Sequence, residues 1–253
     1  MSLFRRTPQQ RRERALRSAP PGPVREHLAV PLPDPATPLD ALRLLALDIE
    51  TTGLDPRRDR VLSLGWVPVD GGSILLGGAR RFVVRDDGGA AAAAAVGRAW
   101  GGQPGGPGGE GVGQSATVHG LTDDALAAGV PMADAVAALL DALAGRALLA
   151  HFARIETGFV GAACERLWGA APAFAVVDTF ELERRALGGG LGHHLEPGAL
   201  RLWTARERRG LPVYPAHEAL TDALACAELY LAQRAELAAR SRETTQTLRQ
   251  VMA

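Results

Sequence analysis

Asp48 and Glu50 stand two residues apart at the end of the apolar run Leu44-Leu45-Ala46-Leu47, immediately before Thr51-Thr52-Gly53. Successive side chains of a β-strand alternate faces, so the two acids share one face while Leu45, Leu47 and Ile49 take the other. Like charges gathered at a strand end are costly unless a cation compensates them, and an oxygen-liganded divalent metal ion is the usual solution. A third acid, Glu156, follows His151-Phe152-Ala153-Arg154-Ile155, where a short apolar run gives way to helical spacing. A fourth group lies in His217-Glu218-Ala219-Leu220-Thr221-Asp222. Five residues of regular helix would leave His217 and Asp222 about 140° apart, so they converge only if His217 sits on the loop or first turn leading into the helix. Pro215, two residues earlier, suits that placement.

The elements that must position these groups alternate along the chain. Leu44 to Glu50 reads as a strand, followed by strands over Arg60 to Val69 and Ser73 to Val84 joined by the hairpin signal Asp70-Gly71-Gly72. Helices are expected from Thr122, over Pro131 to Ala144, across the fifteen or so residues after His151, from Asp178 to about Leu187, near Gly198 to Arg209, and over Ala216 to Arg240. Short strands are expected at Arg146 to His151 and Ala173 to Asp178. Three strands followed by strand and helix in alternation predict an α/β fold: a mixed sheet of about five strands with helices on both faces. Asp178, at the start of a helix, reads as a cap for exposed N–H groups rather than as a further ligand.

Three regions follow. Residues 1–40 carry seven Arg against Glu13 and Glu26 in the first 26 positions and then a Pro-rich stretch, which reads as a basic, weakly helical arm, expected to be disordered, and an extended linker. Residues 41–240 form the main domain, interrupted at about 86–115 by a Gly/Ala/Pro-rich stretch expected to be a flexible insertion. Residues 241–253 form a short polar tail.

The composition excludes several classes. The 253 residues carry 28 basic and 28 acidic groups, so no global positive field marks a nucleic-acid binder, although one local groove would suffice for an enzyme. Every basic residue is Arg, a bias we attribute to genome composition rather than chemistry. No apolar stretch reaches the length of a membrane span, and no apolar segment follows Arg5 and Arg6 as in a secretory signal, so a cytoplasmic protein is expected. Cys164 and Cys226 fall in helical patterns and read as buried thiols.

Five segments occur in a telling order: Asp48-Ile49-Glu50-Thr51-Thr52-Gly53, Val118-His119-Gly120-Leu121-Thr122, His151 to Glu156, Val177-Asp178-Thr179, and His217 with Asp222. Together they resemble the DnaQ-like 3′–5′ exonucleases of the DEDDh type, whose archetype is the epsilon proofreading subunit of bacterial DNA polymerase III. The resemblance spans about residues 43 to 235. It implies an RNase H-like fold and two Mg²⁺ or Mn²⁺ ions held by Asp48, Glu50, Glu156 and Asp222, with His217 as general base. Such a pair of ions, roughly 3.5–4 Å apart, clamps the attacking and leaving oxygens of a phosphodiester. It further implies that Thr51, Thr52, Leu54 and His119 meet the terminal nucleotide. The substrate would be single-stranded DNA or 3′ ends, or else short RNA, with release of nucleoside 5′-monophosphates and a DNA polymerase subunit as a conceivable partner. Two positions depart from the family pattern: Phe152 replaces the usual Asn and offers a stacking surface, and Glu156 replaces the usual Asp.

Overall fold

A computed structural model describes residues 6–85, 123–188, 195–215, 217–240 and 245–253. The Gly/Ala-rich stretch at 86–115, His119, and the His193-His194 pair lie outside those residues.

The apolar run that ends in Asp48 and Glu50 is the central strand, β1 (Arg43–Thr51). It pairs antiparallel with β2 (Val61–Asp70), which turns through Gly71-Gly72 into the short β3 (Ser73–Ile74). The long strand expected up to Val84 is broken: β3 gives way to a 3-10 turn (Leu76–Gly78) before β4 (Arg80–Val83), and both strands pair with β2. The break faces Pro68, whose carbonyl accepts from Leu75 N–H at 2.8 Å. In an antiparallel strand a residue's N–H and C=O point to the same side, so on this side proline offers an acceptor and no donor. On the other flank β1 pairs parallel with β5 (Ala147–Ala150), and β5 with β6 (Val176–Asp178). The result is a six-stranded mixed sheet in the order β3-β2-β1-β5-β6, with β4 also on β2.

Alternation along β1 sorts two cores. Leu45, Leu47 and Ile49 face one side with Leu64, Trp66 and Leu148. There they meet α1 (Pro8–Ser18), α2 (Pro23–Ala29), α4 (Met132–Leu143) and α5 (Arg154–Trp168), while the short α3 (Asp123–Ala127) precedes α4. Leu44 and Ala46 face the other side with Val67, Val69 and Leu149. That side is covered by α6 (Thr179–Ala186), α7 (Leu202–Glu207), the long α8 (Ala219–Arg240) and α9 (Leu248–Val251). Asp48 and Glu50, in phase with Leu44 and Ala46, therefore lie on the α8 side.

The two ends of the chain pack onto the domain. The arm expected to be weakly helical and disordered holds two helices, α1 and α2. A reciprocal capping box between Thr7 and Gln10 starts α1, with Pro8 in its first turn. Ala15, Leu16, Ala19, Val24 and Leu28 then pack into the core, and buried Arg12 donates to the carbonyls of Leu28 and Val30. Arginine and proline richness hid a sparse apolar stripe that suffices because a ready-made core meets it. The polar tail is likewise tied down: Leu248 and Val251 are buried, and Ala253 N–H donates to Val176 C=O at 3.0 Å beside β6. Cys164 and Cys226 are buried free thiols, as expected. Among the described residues no helix is long and apolar enough to cross a membrane.

Candidate active site

Three chain segments bring four acids to the C-terminal end of β1. Asp48 and Glu50 come from the strand, Glu156 from the first turn of α5, and Asp222 from the first turn of α8. A register shift between Glu50 and Thr51, where β1 leaves its pairing with β2, bends the strand directly after the acids. Glu50, Glu156 and Asp222 are buried and Asp48 is half-buried.

His217 lies on the loop just before α8, with φ of 69°, a left-handed backbone that non-glycine residues seldom adopt. Its N–H donates to Asp222 Oδ2 at 3.1 Å. The turn cancels the 140° offset of a regular helix: Glu50, His217 and Asp222 offer ligand atoms within 4.8 Å of one another. His217 is exposed at the rim.

Gly65, which the sequence reading did not single out, makes this convergence possible. It stands opposite Asp48 on β2, where the first turn of α8 crosses the sheet. A Cβ there would sit 2.3 Å from Leu220 N and 2.5 Å from Ala219 C, both main-chain atoms that cannot move alone. A lone glycine inside an otherwise apolar strand is the signal that marks such an approach. Gly65→Val is expected to lift the start of α8 and cost about 1–3 kcal/mol of stability. It should also weaken divalent-metal binding by separating Asp222 from Glu50. Thermal unfolding and a Mn²⁺ titration check this, and a variant matching the unmodified protein in both would disprove the role.

Asp178 behaves as the cap the sequence suggested, and does more. Its Oδ1 accepts from Phe180 N–H and Phe152 N–H, and its Oδ2 from Ala153 N–H, each at 2.9 Å. This carboxylate thus fixes the turn from which α5 starts, including the left-handed Phe152 (φ 73°), and so sets the direction of Glu156. His151 secures the same corner: its Nδ1 lies 2.9 Å from Thr179 Oγ1 and its Nε2 2.8 Å from Leu200 C=O. Burial pushes its pKa down to about 4, so it stays neutral there.

The expected substrate residues fare unequally. Thr51, Thr52, Gly53 and Leu54 line a cleft of about 360 Å³ together with Asp48, Glu50, Ile155 and Glu156. Leu54 is 75 % exposed at its lip. Both threonine hydroxyls are engaged in the turn itself, Thr51 donating to Gly53 C=O and Thr52 to Asp59 Oδ1. The Asp59 carboxylate fills the space where a Cβ on Gly53 would stand. Phe152 is not among the residues lining this cleft; its ring packs 5.0 Å from that of Phe180, with the Arg154 guanidinium 4.9 Å over it.

The electrostatics are those of an acid cluster short of positive charge. Burial, joined by the charges of Asp222 and Glu218, raises the Glu50 carboxyl to about 7. Burial raises Glu156 to about 8. Asp48 is held well above the ordinary carboxylate range by desolvation and then by Glu156, Asp222, Glu50 and Glu218. Asp222 is raised too, again mainly by burial. Buried Glu156 Oε2 and Asp222 Oδ1 have no hydrogen-bond partner among the described residues. Orphaned carboxylate oxygens, an all-oxygen donor set and one imidazole suit hard divalent cations such as Mg²⁺ or Mn²⁺.

No known family profile matches this chain, and no curated protein sequence does. Solved structures do match. Exonuclease I superposes with a TM-score of 0.56 at 17 % identity, over 79 % of this chain and 41 % of that one. The cell-death related nuclease CRN-4 gives 0.57 at 13 % identity, over 78 % of this chain and 65 % of that one. A zinc-bound complex of E. coli exonuclease I with single-stranded DNA gives 0.56 at 17 % identity, over 78 % and 41 %. The fold is the RNase H-like fold of these exonucleases. The chain thus spans less than two thirds of the length of either nuclease, and the likeness is one of architecture.

Proposed function

We propose that this protein is a metal-dependent 3′–5′ exonuclease of the DEDDh type that hydrolyses single-stranded DNA from its 3′ end and releases nucleoside 5′-monophosphates. The observation that carries this reading is the convergence of Asp48, Glu50, Glu156 and Asp222 from separate segments, two of them with orphaned buried oxygens, beside the exposed imidazole of His217. The shared fold with exonuclease I, a protein solved with bound dT13, supports it.

In this reading Asp48, Glu50 and Asp222 would hold one Mg²⁺ or Mn²⁺, and Asp48 with Glu156 would hold a second. Bound there, the ions would supply charge neutralisation for the attacking and leaving oxygens of a phosphodiester. His217 takes the proton of the attacking water at its imidazole, and its place at the rim lets it pass that proton to solvent. The Asp222 carboxylate orients it by accepting its main-chain N–H. Leu54, exposed at the lip, meets the terminal base, and the turn from Thr51 to Gly53 presents its main chain to the last nucleotide. Glu156 is one methylene longer than Asp and reaches the site from a helix start fixed by Asp178.

Incubation with 5′-labelled single-stranded DNA and RNA in Mg²⁺, Mn²⁺ or EDTA tests the proposal. Laddering of the DNA from its 3′ end, abolished by EDTA, is expected. Shortening of RNA alone would move the substrate class to RNA. Binding without shortening of either strand would leave a nucleic-acid-binding module and defeat the enzyme.

A further inference from the structure

We infer that the outer face of α1 is a second nucleic-acid contact surface, one that grips the phosphate backbone of a single strand whose 3′ end occupies the acidic cleft; this rests on the exonuclease reading. The face carries Arg11, Arg14 and Arg17, with Arg6 just before the helix, all exposed. None of the four has an ion-pair partner among the described residues. Arg81 with Glu218, Arg146 with Asp70, and Arg209 with Glu183 and Glu236 are paired. Exposed Arg57, Arg166 and Arg249 are unpaired among the described residues too, and what marks α1 is the spacing of its arginines along one helix face. Glu13, the one acid within α1, accepts instead from Gln9.

The stripe does little for the helix that bears it. Like charges at spacings of three residues repel, and Arg11 in the first turn opposes the helix dipole that Arg17 in the last turn favours. The inward face does the structural work, through Ala15, Leu16 and buried Arg12. A capped helix pinned to α2 therefore holds a row of guanidiniums in a fixed array, a local concentration of positive charge in a protein with 28 basic and 28 acidic residues in all. Guanidiniums bind phosphate oxygens through paired donors, and a phosphodiester chain is the polyanion that a nuclease site would present to them.

Position sets the length of strand required. α2, to which α1 is pinned, packs at the end of the sheet where β5 begins: its His27 contacts the carbonyls of Leu140 and Ala173, and Val30 lies against Gly145. The acids lie at the opposite end of β1. From Leu44, paired with Ala147, to Glu50 is six residues, or about 20 Å at ~3.3 Å each. Even stretched to about twice the ~3.4 Å stacked rise, the three steps of a tetranucleotide reach about 20 Å, and the path to α1 is longer than that, because α1 packs on the face of the sheet opposite the acids. A tetranucleotide can fill the cleft and cannot reach α1.

The test compares a tetranucleotide with a ~20-nucleotide single strand, using the full chain and the variant Arg11→Gln/Arg14→Gln/Arg17→Gln, with binding followed by anisotropy in EDTA across about 50–200 mM salt. The exposed substitutions should leave the melting temperature unchanged. The expected result is tighter binding of the long strand by the unmodified protein, lost at least about fivefold in the variant with a salt slope shallower by about 2. Cleavage of the tetranucleotide in Mg²⁺ should be the same for both. Equal affinity and salt slope for variant and parent would overturn the inference. So would binding of the parent to anionic phosphatidylserine vesicles without length-dependent binding of DNA. A protein that grips the long strand through α1 yet cuts nothing defeats the exonuclease reading alone. One that cuts the tetranucleotide without length-dependent binding defeats the α1 surface alone.

Discussion

Asp48→Asn is expected to lower hydrolysis of single-stranded DNA by at least about a thousandfold while making the metal-free protein harder to unfold at about pH 8. The two effects have one cause. Asp48 is the acid on which the others converge: Glu156, Asp222, Glu50 and Glu218 each act to keep it protonated, on top of its own desolvation. Asparagine preserves the shape and cannot ionise, so unfolding at about pH 8 no longer gains from releasing the proton that the cluster holds on Asp48, and the fold gains about 1–3 kcal/mol. The same change removes the acid shared by both ion positions, so a loaded site cannot form. A purely structural Asp48 would give the opposite stability result, since breaking a native hydrogen-bonding role destabilises. Thermal unfolding in EDTA together with 3′-end laddering checks both halves. A variant that melts earlier than its parent in EDTA, or that retains activity, would sink the central role assigned to this residue.

The second large effect is a stability that falls with pH and is restored by metal. Glu50 and Glu156 keep their protons in the folded state to about 7 and about 8, whereas the unfolded chain releases them near the ordinary 4.5. Between those values the folded state binds more protons, so unfolding becomes easier as pH rises. His27 and His151 pull the other way lower down. Buried and held neutral, with His151 titrating at about 4 against an ordinary 6.5, they add stability as pH rises from 4 to 6.5 and none beyond. Above about pH 6.5 the carboxylates act alone, and stability should fall until about pH 8. At about 1.4 kcal/mol per pH unit for each group the loss is a few kcal/mol, or on the order of 10 °C in melting temperature for a chain of this size. Mg²⁺ or Mn²⁺ binds only the ionised acids, so adding it should raise the melting temperature at pH 8 and hardly at all at pH 5. A melting temperature in EDTA that is flat or rising from pH 6.5 to 8, or a metal effect equal at pH 5 and 8, would refute the acid cluster as a metal site.

Much of the framework was legible because it rests on local periodicity. The alternation in Leu44 to Glu50 put both acids on one face, and β1 bears that pattern from strand to core. The helical spacing after His151 located α5, and the Asp178 cap followed from an acid at a helix start. Where the structure departs from local pattern, tertiary contacts outweighed composition. The Arg/Pro-rich N-terminus folds because it places a few apolar side chains on a core built by distant segments. The expected strand up to Val84 breaks because Pro68, on the neighbouring strand, has no N–H to offer.

For the site, sequence alone determined which residue types could do metal-dependent chemistry and that Asp48 and Glu50 must face the same way, since a two-residue strand period leaves no other outcome. It also stated a condition: His217 and Asp222 would meet only if the chain turned before the helix. Tertiary structure alone met that condition, through the left-handed His217, and alone revealed Gly65 as the gap that lets α8 descend onto β2. It alone gave the degree of burial that raises the carboxylates. Desolvation and close approach depend on what lies across the sheet, and a pattern read along one strand carries no record of what crosses it.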